Sequence, residues 1–178
     1  MKQFFNIVRP LKKVLGFKGA SPQEKTEAFS ETDRFKACGV FMTTTAYKVV
    51  TEYNLDYGYY RSAEPFFVVK TEKELLKAIK DALEASWYVG ACINLSTKDY
   101  LKRLKERSFK HLYHNSTSCF IRLKGNRLEI TKYELHPSGR YLHESPDKVS
   151  LSIDEVGWDA AFQVIMSILN QENNSNSR

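Results

Sequence analysis

Cysteine, proline and long apolar runs are all scarce in this chain, and each shortage removes a class of protein. The 178 residues include only three cysteines, Cys38, Cys92 and Cys119, an odd number with no close pair. They read as reduced thiols packing like small hydrophobes rather than as a disulfide framework or a zinc site. No apolar run approaches the roughly 20 residues that span a bilayer, so no membrane insertion is predicted. The opening Met1–Pro10 stretch carries an apolar patch of a few residues, interrupted by Asn6 and closed by Arg9. That patch is too short for a signal-peptide core and has no small-residue cleavage site, which predicts a cytoplasmic chain. In such a chain the Asn94-Leu-Ser96 and Asn115-Ser-Thr117 triplets carry no glycosylation meaning.

Catalytic and ligand-binding signatures are missing as well. There is no Gly-x-Ser-x-Gly elbow, no dinucleotide fingerprint and no catalytic-cysteine context. The glycines of Gly16-Phe-Lys-Gly19 have the wrong spacing for a phosphate loop, and no Lys-Ser or Lys-Thr pair closes them. His111 and His114 are three apart without a Glu or Cys partner in metal-site spacing, and His136 and His143 flank a Pro-Ser-Gly turn. Neither a metal nor a cofactor is therefore predicted.

What the chain does contain is enough apolar residue, 42% of the total, for one buried core in one domain. Its clearest element is a β-hairpin from Thr117 to Leu135 turning on Gly125-Asn126, since Gly enters positive φ freely and Asn tolerates it. With those two residues as the loop, Arg122 faces Glu129, Ile121 faces Ile130 and Leu123 faces Leu128. One register thus places Ile121, Leu123, Leu128 and Ile130, with Cys119, on one face, and an opposite-charge pair, Arg122 and Glu129, on the other. A slip of one residue destroys both patterns.

Two further segments repeat one pattern. Pro65–Lys70 reads as a short strand, Thr71-Glu-Lys-Glu74 as a capping box, and Leu75, Leu76, Ile79 and Leu83 as the apolar stripe of a helix ending near Ser86. Pro146–Leu151 reads as a strand, Ser152-Ile-Asp-Glu155 as a second capping box, and Val156, Ala160, Val164 and Ile168 as the stripe of a closing helix. Pro65 and Pro146 are 81 positions apart, as are Thr71 and Ser152, so one strand-to-helix unit is used twice on a common sheet. Phe35–Val50 predicts one or two strands, Trp87–Leu95 a strand-like stretch, and Thr97 the cap of a helix anchored by Tyr100, Leu101 and Leu104. The fold class is α+β: a single domain at residues 35–170 with a mixed, largely antiparallel sheet, a central hairpin, and helices packed on it. Residues 1–34 read as a basic, partly irregular leader and 171–178 as a disordered polar tail.

Charge and aromatics suggest contact surfaces. The formal charge is +6, with pI near 9.1, and Lys98–Lys110 alone holds six basic residues against two acidic ones. That patch reads either as a solvated helix face or as a nucleic-acid-binding face. The Glu52–Arg61 segment reads as a loop with four tyrosines, Tyr53, Tyr57, Tyr59 and Tyr60, a composition that suits a protein interface if the rings are exposed. Glu129 is the best-placed carboxylate for acid/base work, but Arg122 opposite it would keep it ionised, which favours an ion pair over catalysis.

The order of elements in Tyr100–Cys119, the hairpin Phe120–Leu135, the Pro-Ser-Gly-Arg140 loop and Pro146–Leu151 running into the closing helix resembles the immunity proteins of bacterial contact-dependent growth inhibition systems. The helix of the Pro65–Ser86 unit fits the same family. The resemblance covers roughly residues 60–170. It implies a cytoplasmic protein without enzymatic activity that binds a cognate toxin domain, the C-terminal part of a large secreted exoprotein and often a nuclease. Blocking could include strand addition to the sheet, with the hairpin at the sheet's margin offering unpaired backbone groups. The partner-binding residues expected on this reading are Tyr53, Tyr57, Tyr59, Tyr60, Arg61, Arg122 and Glu129, and no direct contact with nucleic acid is expected. A basic nucleic-acid-binding module and a small hydrolase are the alternatives.

Overall fold

The computed structural model describes residues 35–55, 59–86 and 95–171, with side chains left undescribed at 54–60. The leader at 1–34, Tyr57, Cys92, the Trp87–Asn94 part of the expected strand and the tail from 172 lie outside those residues. The described chain forms one antiparallel sheet of six strands, β1 (Lys36–Thr43), β2 (Tyr47–Leu55), β3 (Tyr59–Val69), β4 (Ser116–Lys124), β5 (Arg127–Leu135) and β6 (Leu142–Ser152). Their spatial order is β3-β2-β1-β4-β5-β6. The helices are α1 (Glu72–Ala85), α2 (Thr97–Arg103), α3 (Phe109–His114) and α4 (Ile153–Leu169).

The repeat suggested by Pro65 and Pro146 extends across the whole domain. Each half runs through three meandering strands into a helix, β1-β2-β3-α1 and then β4-β5-β6-α4, and the halves meet where β1 pairs antiparallel with β4. Helix α1 packs on β1, β2 and β3, while α4 packs on β4, β5 and β6. The Tyr47 and Arg127 strand starts and the Glu72 and Ile153 helix starts match within a residue of the 81-residue offset. Helices α2 and α3 are inserted between the halves.

The β4–β5 hairpin has the expected register, with Arg122 opposite Glu129, Ile121 opposite Ile130 and Lys124 opposite Arg127, and Gly125 supplies the positive φ at 58°. It lies inside the sheet, however, since β6 follows β5 and β1 flanks β4. Among the described residues the free edges are β3 and β6. Both edge strands carry a central proline, Pro65 and Pro146, beside a register shift, one at Val50/Thr51 and the other at Thr131/Tyr133. Proline withholds an N–H and a bulge bends the edge, so each edge is blunted midway.

One face of the sheet holds the main core. Cys38, Val40, Val49, Cys119, Ile121, Leu128 and Ile130 meet Leu75, Ile79 and Leu83 of α1 and Phe162, Ile165 and Leu169 of α4. On the opposite face, Phe41 and Val50 pack under Leu104 and Leu112 of the α2–α3 insert. Both described cysteines are buried and free. Thr71 forms the expected capping box, its hydroxyl accepting from the Glu74 amide while the Glu74 carboxylate accepts from the Thr71 amide.

Three local expectations are corrected. Ser152 makes no side-chain cap. Gly157, at φ 74°, breaks the helical geometry inside α4, so the phase of the helix is reset. The buried stripe is Ala161, Phe162, Ile165, Met166, Ile168 and Leu169, while Val156 is 40% exposed. Helix α2 is capped by Ser96, whose hydroxyl accepts from the Asp99 amide, one residue before the expected Thr97. No helix among the described residues is long and apolar enough to cross a membrane.

Candidate contact surface and its buried polar groups

The end of β2, the start of β3 and the Gly125-Asn126 turn fall at the same end of the sheet. Lys36 of β1 pairs with Tyr53 on one side and Leu123 on the other, so the end of β2 and the Gly125-Asn126 turn flank the start of β1. From that end a single transverse row crosses all six strands on the face away from α1 and α4: Ser62, Glu52, Ala37, Arg122, Glu129, Ser150. The segment read as a loop from Glu52 to Arg61 is therefore mostly paired strand. Tyr59 and Tyr60 lie in β3, opposite Leu55 and Asn54. Arg61 is exposed. Tyr53 points to the helix side, is only 3% exposed and donates its hydroxyl to the Glu64 carbonyl at 3.1 Å. Its ring is part of the core and is not available to a partner in this fold.

Arg122 and Glu129 face one another as expected, but their ion pairs run elsewhere. The Arg122 guanidinium donates to Glu144 on β6 at 2.5 Å and lies 4.7 Å over the Phe120 ring. Glu129 lies 3.9 Å from the Arg127 guanidinium, and Lys148 lies 3.9 Å from the second Glu144 oxygen. An arginine stem is long enough to reach across one intervening strand, so the neighbouring β6, invisible to a two-strand reading, redirects the pair. The result is a half-exposed lattice of alternating charge on the β4–β6 face.

Two half-buried residues, Glu52 and Glu106, carry enclosed carboxyls that have no local signature in the sequence. Glu52 sits on β2 beneath the aromatic side chains of the insert, and the Ser62 hydroxyl donates to it at 2.7 Å. Burial pushes its carboxyl up to about 7, with the Ser62 hydrogen bond pulling the other way. Tyr100, Tyr113 and Tyr133 feel the same charge. Burial first, then Glu52, raises Tyr113 to about 12 and Tyr100 and Tyr133 higher still. Tyr100 also packs edge-on against Phe66 at 5.4 Å, which ties the insert to β3, and its ring lies tilted against Phe109 of α3 at 5.2 Å. In sequence, Glu52 simply continues the alternation of β2, and nothing local tells a buried carboxylate from an exposed one.

Glu106 is the second. It follows Lys105, whose φ of 54° ends α2 with a left-handed residue, and the Glu106 amide reaches back to the Leu101 carbonyl at 2.8 Å. This Schellman-type end turns the Glu106 side chain inward. There the carboxylate pairs with Lys48, the two side chains being 7% and 5% exposed, and with His111 Nδ1 at 2.7 Å. Burial opposes ionisation of Glu106, but the hydrogen bonds from Lys48 and His111, and their charges, outweigh it and hold the carboxyl below the usual range. The six basic residues of Lys98–Lys110 are all exposed, and Arg103 pairs with Glu64 on β3. Among the described residues no group of three or more His, Cys, Asp and Glu is placed to hold a metal ion.

No family model matches this chain, and no curated protein sequence matches it. Its fold is similar to that of a protein of unknown function from Neisseria meningitidis, at 15% identity and TM-score 0.55, over 78% of this chain and 95% of the other. It is similar to the same degree, 15% identity and TM-score 0.55, to a chain of the CdiA-CT/CdiI toxin and immunity complex from Yersinia pseudotuberculosis, over 77% of this chain and 98% of that one. At this identity the likeness is one of fold.

Proposed function

We propose that this chain is an immunity protein that binds and neutralises a cognate contact-dependent growth inhibition toxin domain, acting by occupancy and not by turnover. The observation that carries the reading is the likeness in fold to a chain taken from a toxin and immunity complex, which spans nearly the whole of that chain. The toxin domain docks on the end of the sheet that holds Leu55, Tyr59 and the Gly125-Asn126 turn. Tyr57, Tyr59, Tyr60 and Arg61 supply contact area from one hairpin, and Arg122 and Glu129 supply charge that sets the register from the other. Strand addition in this fold uses half an edge. Pro65 and Pro146 interrupt β3 and β6, which leaves Tyr59–Ala63 and Lys148–Ser152 as the open halves, and the first of these carries the tyrosines.

Co-expression with the toxin domain encoded by an adjoining reading frame tests this. The expected result is co-purification and rescue of growth, with the chain harmless when expressed alone. Growth arrest by the chain alone would assign it to the toxin side of such a pair and refute the proposal. Tyr57→Ala, Tyr59→Ala and Tyr60→Ala combined are expected to weaken capture. If the triple variant protects and binds as well as the wild type, the docking surface lies elsewhere.

A further inference from the structure

The corner where the α2–α3 connection meets the β1–β2 turn encloses an open cleft of about 430 Å³, within the ~300–1,000 Å³ range of small-molecule sites. Its walls are dominated by basic side chains: Lys70 just after β3, Lys105 and Arg107 from the connection, and Lys48 and His111 at its inner side. The one acid lining it among the described residues, Glu106, is already engaged, with one oxygen on Lys48 and the other on His111. The excess positive charge therefore faces the opening: Lys70, Lys105 and Arg107 are exposed, and Glu74, whose carboxylate accepts from the Lys70 amide at 3.2 Å and feels the Lys70 charge, lies outside the lining.

The backbone bears on the same point. Lys105 occupies the left-handed position at the end of α2, where glycine is ordinarily found and a side chain strains the backbone. Strain retained at a cleft wall is informative about use, because a glycine there would relieve it and remove only a charge. The Glu106 bond to Nδ1 of His111 orients that ring and leaves Nε2 as the nitrogen available to a ligand.

We infer that this cleft binds a phosphate group, held by the Lys70, Lys105 and Arg107 side chains with His111 at its base. Several cations converging on a compact site match one multiply charged anion better than the spaced carboxylates of an acidic peptide. Apart from His111, no aromatic ring among the described residues lines the cleft, so the recognised chemistry is the phosphate and not a stacked base. The phosphate can come from a free nucleotide or from the backbone of a nucleic-acid strand. The site is separate from the proposed toxin-docking surface and stands or falls independently of it.

The test is calorimetric titration of the full chain with four probes: pyrophosphate, ATP, a single-stranded oligonucleotide and a glutamate-rich peptide. Saturable binding of pyrophosphate and ATP is expected, reduced at least tenfold in Lys105→Gly/Arg107→Ala. Because glycine suits the Lys105 backbone, that variant should keep or raise its thermal midpoint, so loss of binding cannot be blamed on unfolding. A control, Lys98→Ala/Lys102→Ala, should bind pyrophosphate as the wild type does. Tighter binding of the oligonucleotide than of ATP, still lost in the cleft variant, would assign the phosphate to a strand. Three results would overturn the site: no saturable binding of any phosphate probe, equal loss in the control variant, or binding of the acidic peptide alone.

Discussion

Glu52→Gln is expected to make the protein more stable at pH 8 and to leave it unchanged near pH 4. The carboxyl is buried beside Ser62 and under Tyr100, and its folded-state value of about 7 stands above the ordinary 4.5. Between those two pH values the unfolded chain has released this proton while the folded chain keeps it. The native state then binds more protons, so stability falls as pH rises through the window and the full loss is reached above about 7. At 1.36 kcal/mol per pH unit the gap amounts to about 3 kcal/mol. Glutamine keeps an oxygen for the Ser62 hydroxyl but has no charge to desolvate, so the variant should recover most of that amount. For a chain of this length the gain corresponds to a rise of about 6 to 12 °C in thermal midpoint. Glu106 does not confuse the measurement. Its carboxyl is held low, so its contribution is present above the unfolded value and is lost only as pH falls below it, outside the window for Glu52. Urea unfolding at half-unit steps from pH 4 to 8.5, wild type against variant, is the assay. Parallel pH curves, or a Gln variant no more stable at pH 8, would refute the claim that the Glu52 charge is desolvated in the fold.

Lys48→Met leaves the Glu106 carboxylate buried with His111 as its remaining partner, and should cost about 3 to 5 kcal/mol, whereas Lys48→Met/Glu106→Leu should recover most of it; a double-mutant cycle by urea unfolding reads the coupling. Thr71→Ala removes a formed capping box and should cost about 1 kcal/mol, while Ser152→Ala, at a helix start with no side-chain cap, should change the midpoint by less than about 0.5 kcal/mol. Equal effects at the two positions would contradict the difference between the two helix starts.

The sequence made legible what is local and repeated. The β4–β5 register follows from Gly125-Asn126 together with the alternation on either side of it, and α1 follows from Thr71, Glu74 and the Leu75–Ile79–Leu83 stripe. Ser152 and Glu155 have the same spacing as Thr71 and Glu74, yet the cap does not form. Gly157 takes a positive φ within the first turns of α4 and rotates the helix, and that single backbone angle has no signature in apolar periodicity. Non-local facts were hidden for a different reason. Whether Arg122 meets Glu129 or Glu144 depends on which strand lies beside β5, and whether Tyr53 or Glu52 is buried depends on which elements cover each face. The Lys48–Glu106 pair joins residues 58 apart in the chain, with nothing local to announce it.

The doubled architecture also narrows where specific function resides. Each half supplies three strands and one helix to the same side of the sheet, and each blunts its outer strand with a proline, Pro65 in β3 and Pro146 in β6. Features shared by both halves answer shared demands: a core on one face and edges that resist unwanted pairing. The differences between the halves carry the individuality of the molecule. On the face opposite the core, the first half is roofed by α2 and α3 through Leu104, Leu112 and the Tyr100 ring, while the second half presents its Arg122, Glu129, Glu144 and Lys148 lattice half-exposed. The insert also brings in the cationic cleft, which has no counterpart built from the second half's own elements. A partner that reads this protein reads that asymmetry, so exchanging charges on the β4–β6 face should alter partner choice while leaving the scaffold and its stability nearly unchanged.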